Sequence, residues 1–345
     1  MDILTSSDRS VRTYLPVKSE KPWQAELRTA IRDPLVLGRE LELPVDWARQ
    51  AEVVRDKFPL FVPRSYLQRM EKGNLEDPLL LQVLPVVDEL DRTAGFSKDP
   101  VGDWAAIREQ GYLHKYEGRA LLTLTGACAV HCRYCFRQHF PYDQLPQADG
   151  GWERTLAALA ADDSIQEVIL SGGDPLMWVD SRLATLVRRI SAIGHIQRLR
   201  VHTRLPVMIP GRVTDALIDW LTGGRLVPIV VLHANHAREL SDEVAAAVER
   251  MHWAGVMLLN QAVLLRQVND TVAAQKSLSE RLVQLRVAPY YLHQMDRVRG
   301  AAHFEVPVER GLEIIEALRR QLPGYAVPRY VREVAGEPYK IPLGR

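Results

Sequence analysis

From Leu121 onward, apolar residues gather in short continuous runs, which are separated by longer segments with a helical pattern. The runs hold several apolar residues in a row and do not alternate strictly with polar ones. This pattern is typical of strands that are buried on both faces of a parallel sheet. We therefore predict six strands, within "LLTLT", "EVILSGG", "RLRVHTR", "VPIVVLHAN", "GVMLLNQAVLL" and "VAPYYLHQM".

The segments between and after these runs predict helices. Several begin on Ser, Thr or Asp, which cap helix N-termini, and three end at a glycine, which favours a C-terminal cap. Six β-α units in tandem predict an α/β fold, either doubly wound or barrel-like, with functional residues where strands end. The predicted helices lie within "WERTLAALAADD", "DSRLATLVRRISAIG", "TDALIDWLTGG", "SDEVAAAVERMHWAG", "TVAAQKSLSERLVQLR" and "ERGLEIIEALRRQL".

Residues 1–110 show no comparable alternation of strands and helices. They contain helical stretches broken by prolines, such as "DWARQAEVVRDKF" before Pro59 and "PRSYLQRMEKG", which ends on Gly73. We therefore predict two parts: a helical N-terminal extension over residues 1–110, packed on the main domain, and the β-α domain over residues 111–345.

Composition narrows the functional classes. The chain has 345 residues, of which 47% are hydrophobic and 25% charged, as in ordinary globular proteins. Its net charge of +1 gives no electrostatic footprint for nucleic acid or a membrane surface, so we expect neither partner. No apolar run approaches the ~18 residues that span a bilayer, and the first residues do not resemble a secretory signal.

All three cysteines of the chain, Cys128, Cys132 and Cys135, lie in one loop directly after the first predicted strand. Such a cluster indicates metal or redox chemistry in a reducing compartment, so we expect the protein in the cytoplasm. The spacing C-x3-C-x2-C leaves three interpretations open. They are a zinc site completed by His139, a redox pair of thiols, and an iron–sulfur cluster with one iron not bound by the protein.

The residues around these cysteines favour the third interpretation. Tyr134 precedes the third cysteine and Phe136 follows it, and this loop resembles that of the radical S-adenosylmethionine family. The resemblance implies that Cys128, Cys132 and Cys135 hold a [4Fe–4S] cluster. The fourth iron of that cluster would bind the amino and carboxylate groups of S-adenosyl-L-methionine.

A glycine motif follows one β-α step later. In "ILSGGDPL", Gly172 and Gly173 lie where the second predicted strand ends, and glycines there let the backbone approach a ligand closely. An ordinary turn at the end of a strand would also explain them. The resemblance implies that Gly172, Gly173 and Asp174 belong to the S-adenosylmethionine site, at the amino group of that cofactor.

Further motifs narrow the resemblance to lysine 2,3-aminomutase and its relatives, from about Tyr14 to the end of the chain. This family implies a partial (β/α)6 barrel and pyridoxal 5'-phosphate alongside the cluster. It also implies an isomerase that moves the α-amino group of lysine to the neighbouring carbon. The motifs are "CAVHCRYCFRQHF", "SGGDPL", "VHTRLPVMIPGRVT", "LHANHARE", "NQAVLLRQVND" and "REVAGEPYKIPLG".

The same resemblance assigns cofactor residues. Lys340, in the C-terminal segment, matches the lysine that forms a Schiff base with pyridoxal phosphate, and Tyr116 and Arg119 match positions around that cofactor. His233 and Gln261 match positions near S-adenosylmethionine. Without the resemblance, Lys340 would be interpreted as a solvated lysine. Tyr116 and Arg119 would belong to a turn before the first strand, and the histidine would be a buried core residue.

Three further residues match substrate contacts. Arg137 matches the clamp for the substrate carboxylate, a role that suits a bidentate guanidinium. Asp296 matches a carboxylate that pairs with the ε-ammonium of lysine, and Glu333 falls where the lysine enzymes carry a second aspartate. Ion pairs on solvated loops are the alternative for all three.

The sequence departs from the catabolic lysine enzymes at two places, and both departures resemble one particular branch of the family. Glutamate replaces aspartate at position 333, and "GEPYK" replaces a glycine run, as in the short branch that makes (R)-β-lysine for attachment to translation elongation factor P. That branch implies L-lysine as substrate, a functional link to elongation factor P and its ligase, and a flavodoxin- or ferredoxin-type one-electron reductant. No cysteine follows Cys135, so we expect no structural zinc site of the longer enzymes.

Other functions stay open at this point. They are an aminomutase for arginine, ornithine or glutamate, an enzyme that supplies β-lysine for catabolism, and a non-enzymatic Cys3His zinc-binding protein. Glutamate is disfavoured as a substrate because Asp296 and Glu333 would face its second carboxylate with like charge.

Overall fold

The computed structural model describes residues 22–54, 58–109, 111–145 and 149–344. The start of the predicted extension, residues 1–21 with Tyr14, lies outside the described residues. The same holds for residues 55–57 of the helix predicted before Pro59. None of the described helices is long and apolar enough to cross a bilayer.

Ten strands form one sheet, in which spatial order follows chain order. They are β1 (Ile107–Glu109), β2 (Tyr112–Tyr116), β3 (Arg119–Thr123), β4 (Glu167–Ser171), β5 (Arg198–Thr203), β6 (Val227–Leu232), β7 (Met257–Leu264), β8 (Ala288–Gln294), β9 (Arg329–Arg332) and β10 (Ile341–Pro342). The strands from β3 to β9 are parallel to one another. At the edges, β1 and β2 before them and β10 after them pair antiparallel, and the sheet is open between β1 and β10 among the described residues.

Twelve α-helices accompany the sheet in the described part of the chain. They are α1 (Pro22–Arg28), α2 (Pro34–Glu40), α3 (Val45–Val54), α4 (Arg64–Leu67), α5 (Pro78–Leu81), α6 (Glu153–Ala161), α7 (Asp180–Ser191), α8 (Leu205–Met208), α9 (Asp215–Thr222), α10 (Asp242–Trp253), α11 (Val272–Gln284) and α12 (Val308–Gln321). Helices α1 to α5 precede the sheet, and α6, α7 and α9 to α12 connect successive parallel strands, with the short α8 after β5. The predicted fold class, an α/β partial barrel of six β-α units with a helical N-terminal extension, is confirmed.

The apolar runs become strands because both faces of the sheet are covered. In β4, the consecutive residues Val168, Ile169 and Leu170 are all buried. From Leu258 onward, strand β7 instead alternates between buried and half-buried residues. Its half-buried Gln261 and Val263 line a cavity on the inner side of the sheet. The continuous pattern therefore gives way to alternation where the sheet borders the cavity.

The sequence pattern does not predict β1, β2, β9 and β10. These strands are only two to five residues long and most carry charged side chains, so they have no apolar run of their own. Neighbouring strands supply their hydrogen-bond partners, a tertiary effect that overrides local propensity. Strand β1 lies within residues 1–110, which the sequence pattern predicts as helical.

The described part of the N-terminal extension packs on the β-α units and shares their hydrophobic core. Trp23 of α1 is buried, and its ring centroid lies 4.8 Å from the guanidinium carbon of Arg212. Arg212 is itself fully buried, pairs with Asp180 at 2.8 Å and donates from Nε to the carbonyl oxygen of Leu176 at 2.8 Å. Helix α1 thus covers a buried, paired charge of the barrel.

We expect Trp23→Ala to lower the free energy of unfolding by about 3–5 kcal/mol, because it removes a buried aromatic ring and leaves a cavity beside Arg212. The control Val45→Ala changes a side chain that is 61% exposed, and its effect should stay within about 0.5 kcal/mol. Urea unfolding followed by circular dichroism measures both. Equal stability of the two variants would show that α1 does not pack on the barrel.

Candidate active site

One cavity of about 670 Å³ lies against the parallel strands, within the size range of small-molecule sites. Residues from the β2–β3 hairpin, the cysteine loop, strands β4 to β9 and the C-terminal segment line it. It brings together every site residue that the sequence predicts. These are Tyr116, Arg119, Cys128, Cys132, Cys135, Arg137, Gly172, Gly173, Asp174, His233, Gln261, Asp296, Glu333 and Lys340.

The three cysteines are half-buried free thiols on the loop after β3. Burial, reinforced by the neighbouring Cys132, raises the pKa of Cys135 to about 12. The Cys135 thiol therefore keeps its proton until a metal replaces it. The Cys132 Sγ already accepts a hydrogen bond from the Arg204 guanidinium at 2.7 Å. Among the described residues, no three His, Cys, Asp or Glu side chains are grouped closely enough for a single metal ion.

The cysteine loop is held by the N-terminal extension. The Arg133 guanidinium is fully buried and donates to Glu89 at 2.8 Å and to the carbonyl oxygen of Phe58 at 2.7 Å. The Arg133 backbone N–H donates to the carbonyl oxygen of Gln82 at 2.9 Å. On the same loop, the His131 Nδ1 lies 2.7 Å from the carbonyl oxygen of Pro59. Residues remote in sequence thus fix the backbone between the cysteines.

Close contacts with other parts of the chain leave no room for a side chain at Gly172 or Gly173. Gly172 has φ +129°, and a Cβ there would lie 2.5 Å from the Thr125 carbonyl oxygen. At Gly173, a Cβ would lie 2.4 Å from the carbonyl oxygen of Ala127. The Gly173 N–H donates to Thr125 O at 2.7 Å. The glycines therefore let the end of β4 pack directly against the start of the cysteine loop.

Asp174 ties the end of β4 to the end of β5. Its carboxylate accepts hydrogen bonds from the Thr203 hydroxyl at 2.8 Å and from the backbone N–H groups of Arg204, at 2.8 Å, and Leu205, at 2.9 Å. The backbone N–H of Leu176 is a further donor at 3.0 Å. Because these donors occupy both oxygens, Asp174 shapes the loop that carries Gly173 and has little capacity left for a ligand.

His233 and Gln261 form one polar pair that lines the cavity. The Gln261 Nε2 lies 2.9 Å from the His233 Nε2. Burial, aided by nearby arginines, lowers the pKa of His233 to about 3, so its ring is neutral at physiological pH. The His202 ring stands edge-on to it, with centroids 5.9 Å apart. A neutral imidazole with a side-chain amide can recognise a polar ligand without adding charge.

Several buried polar atoms that border the cavity have no partner among the described residues. They are the Tyr116 hydroxyl, the Arg119 Nε, the His202 Nε2 and the His293 Nε2. The Arg119 guanidinium carbon lies 4.7 Å from the centroid of the Tyr116 ring. Buried donors and acceptors are rarely left unpaired, because each costs its full desolvation energy. These four residues fit a polar ligand in the cavity.

A chain of alternating charges runs along the cavity. Arg137 donates from Nε to Asp103 at 2.7 Å, and Lys115 bridges Asp103, at 2.9 Å, to Glu333, at 2.7 Å. Lys340 donates to the other carboxylate oxygen of Glu333. Burial alone would raise the pKa of Glu333, but Lys340 and Lys115 outweigh it and hold that pKa well below its ordinary value. The sequence predicts Arg137, Glu333 and Lys340 as site residues but does not point to Asp103 and Lys115.

Asp296 stands apart from this chain of charges. Its carboxylate has no ion-pair partner among the described residues, although it lines the same cavity as Glu333 and Lys340. Burial, and then the charge of Glu333, raise the pKa of Asp296 to about 7. An ionised Asp296 therefore lacks a counterion that the protein itself supplies.

His139 does not face the cysteines. Its Nε2 lies 3.3 Å from the carbonyl oxygen of Arg299, a backbone group on the loop after β8. This contact turns the imidazole away from the cavity, which the three thiols line. The geometry therefore argues against the Cys3His interpretation.

The known proteins that are similar to this chain point to one family. A 4Fe-4S single cluster domain matches residues 117–202, which include all three cysteines. The chain is 44% identical over 324 residues to the L-lysine 2,3-aminomutase of Haemophilus influenzae, covering 94% of this chain and 96% of that protein. The L-lysine 2,3-aminomutase of Escherichia coli is 44% identical over 330 residues, covering 95% and 96%.

A solved structure, a radical SAM methyltransferase from Sphaerobacter thermophilus, is 22% identical with a TM-score of 0.44, covering 64% of this chain and 68% of that chain. The two aminomutases match this chain over nearly their whole length. The family predicted from the cysteine and glycine motifs together with the four further motifs is confirmed. The chain belongs to the lysine 2,3-aminomutase family of radical S-adenosylmethionine enzymes, and it is an isomerase.

Proposed function

We propose that the protein converts L-α-lysine into β-lysine, with a [4Fe–4S] cluster, S-adenosylmethionine and pyridoxal 5'-phosphate as cofactors. One observation carries this proposal: a single cavity brings together Arg137, Asp296, Glu333 and Lys340 beside three thiols. When bound, the cluster and S-adenosylmethionine supply radical chemistry, and pyridoxal phosphate supplies an aldehyde that holds the migrating nitrogen. The protein itself binds the substrate, orients it and excludes water.

The donor set of the cavity fits these cofactors. Three thiols on one loop are the ligands that an iron–sulfur cluster takes. The neutral pair of His233 and Gln261 suits the uncharged polar groups of S-adenosylmethionine. At the other end, the unpartnered atoms of Tyr116, Arg119 and His293 are suited to the hydroxyl and phosphate groups of pyridoxal phosphate. We assign its covalent attachment to Lys340.

The charges of the cavity favour a dibasic amino acid. Arg137 is the group that we assign to the substrate carboxylate, since a guanidinium pairs with a carboxylate through two parallel hydrogen bonds. Asp296 is the carboxylate that we assign to the side-chain ammonium, because it has no counterion of its own. An acidic side chain would meet Asp296 and Glu333 with like charge.

We further propose the (R) form of β-lysine as product, and its attachment to elongation factor P by a ligase as its use. The support is Glu333 in place of an aspartate, together with the "GEPYK" segment before the end of the chain. A flavodoxin- or ferredoxin-type protein would supply the single electron. A cytoplasmic location would fit the three free thiols.

Substrate identity can be tested with an amino acid panel. The anaerobically reconstituted enzyme should convert L-lysine and leave glutamate unchanged, because glutamate would bring a second carboxylate to Asp296. Chromatography after chiral derivatisation identifies both the product and its hand. Turnover of arginine, ornithine or glutamate in preference to lysine would refute the substrate assignment, and (S)-β-lysine would refute the branch assignment.

Lys340→Ala should abolish covalent attachment of pyridoxal phosphate, which mass spectrometry after borohydride reduction detects. We expect the rate to fall at least ~10²-fold, the low end of the loss for a residue that acts directly in catalysis. Iron content should stay unchanged, since Lys340 lies outside the cysteine loop. The matched control is Lys276→Ala, on an exposed i,i+4 pair with Glu280. Full pyridoxal labelling of Lys340→Ala would refute the assignment.

The pH dependence of kcat/KM should report Asp296. Only its ionised form attracts an ammonium group, and its pKa lies at about 7. As pH falls below about 7, Asp296 takes up a proton, and kcat/KM for lysine should fall toward tenfold per pH unit. Asp296→Asn should remove this inflection and lower kcat/KM by about 10²- to 10³-fold. An unchanged pH profile in Asp296→Asn would exclude Asp296 as the group that titrates.

A further inference from the structure

Asp103 is a buried carboxylate that the N-terminal extension places in the cavity. Its side chain is only 3% exposed. One oxygen accepts a hydrogen bond from the Nε of Arg137 at 2.7 Å, and the other accepts from the Nζ of Lys115 at 2.9 Å. Burial alone would raise the pKa of Asp103, but Arg137 and Lys115 hold it below its ordinary value. Both oxygens are thus engaged by cations from different segments of the chain.

The contact with Asp103 determines which edge of the Arg137 guanidinium is available. A guanidinium can pair with a carboxylate through its Nε/Nη2 side or through its Nη1/Nη2 end. Asp103 occupies the side through Nε. The Ser171 hydroxyl accepts one hydrogen bond from Nη1 at 3.0 Å, which fixes the plane of the group. With Nε donating to Asp103 and Nη1 to Ser171, the N–H groups of Nη2 and the second N–H of Nη1 are left for a carboxylate in the cavity.

The turn that carries Asp103 is itself fixed. The Asp99 carboxylate accepts hydrogen bonds from the backbone N–H groups of Asp103, at 2.8 Å, and Trp104, at 3.0 Å. Gly102 has φ +69°, and a Cβ there would lie 2.9 Å from the Cβ of Ala335. The turn therefore packs on the segment that immediately follows Glu333.

Lys115 connects this turn to the other end of the site. Its Nζ lies 2.7 Å from Glu333 and 2.9 Å from Asp103, and its side chain is 16% exposed. Burial alone would lower the pKa of Lys115, but Glu333 and Asp103 raise it above its ordinary value. The charge of Glu333 is thus matched within the protein. Glu333 is also held by Lys340, whereas the Nε of Arg137 donates to Asp103.

We propose that Asp103 is a positioning residue. It holds Arg137 so that the Nη1/Nη2 end of the guanidinium meets the substrate carboxylate. This inference rests on the proposed function, because it takes Arg137 as the carboxylate clamp. It gives the N-terminal extension a part in substrate recognition, through Arg137.

The test compares two ligands of the unreduced, reconstituted holoenzyme by calorimetry. L-lysine has a carboxylate, and 1,5-diaminopentane is the same molecule without it. Asp103→Asn should raise the Kd for lysine about 10- to 100-fold, the loss expected for a misplaced charged hydrogen bond. The Kd for the diamine should change by less than about twofold. The iron content and Tm of Asp103→Asn should match those of the control Asp46→Asn, which changes a side chain that is 88% exposed.

Asp103→Glu serves as the second variant, because it keeps the charge and displaces it by one methylene. We expect a smaller loss of lysine affinity and again no loss for the diamine. If Asp103→Asn does not fold, the comparison of Asp103→Glu with the wild type decides the proposal. Equal losses for both ligands would indicate a general structural role and overturn the proposal. An unchanged Kd for lysine would overturn it as well.

A crystal structure of the variant separates this inference from the proposed function. If the wild-type holoenzyme binds no lysine, the proposed function fails, yet the position of Arg137 in Asp103→Asn still decides the positioning role. A guanidinium displaced from its wild-type place supports that role. A guanidinium that keeps its place and plane without the Asp103 charge overturns it.

Discussion

The buried ion pairs that join Arg137, Asp103, Lys115, Glu333 and Lys340 hold distant parts of the chain around one cavity. A single charge taken out of water costs several kcal/mol, and this cost is offset only where partners are close and well oriented. Here each inner member of the chain has an opposite charge on both sides. Because the five residues come from four separate segments, the extension, β2, the cysteine loop and the C-terminal hairpin must assemble together before all of these charges are compensated.

The cysteine loop depends on the same extension through a second set of contacts. The fully buried Arg133 is held by Glu89 and by the carbonyl oxygen of Phe58, and Arg204 links the sulfur of Cys132 to Glu239. The barrel carries the three thiols, and residues of the N-terminal extension hold the backbone between them. The N-terminal extension is therefore part of the site in physical terms, although the sequence pattern alone describes it as scaffold.

Sequence reasoning succeeded where the pattern is dictated by burial or by a dense local motif. The continuous apolar run at Val168–Leu170 predicts a covered strand because water is excluded from both of its faces. It failed for Asp103 and Lys115, which are ordinary charged residues until the fold brings their partners within 3 Å. The glycine motif was located correctly, but the structure adds a reason that the sequence could not supply: the space beside Gly173 is filled by the chain's own carbonyl groups.

The charge balance of the cavity gives a physical basis for selecting a dibasic substrate. The cations Arg137, Lys115 and Lys340 are paired with Asp103 and Glu333, whereas Asp296 lines the same cavity and has no ion-pair partner among the described residues. If Lys340 gives up its charge on covalent attachment to pyridoxal phosphate, Asp296 also loses the favourable influence of that charge. An incoming ammonium side chain supplies the counterion that Asp296 lacks, whereas a neutral or acidic side chain leaves this carboxylate uncompensated. Selectivity for the substrate side chain would then follow from the energetic cost of leaving Asp296 without a counterion.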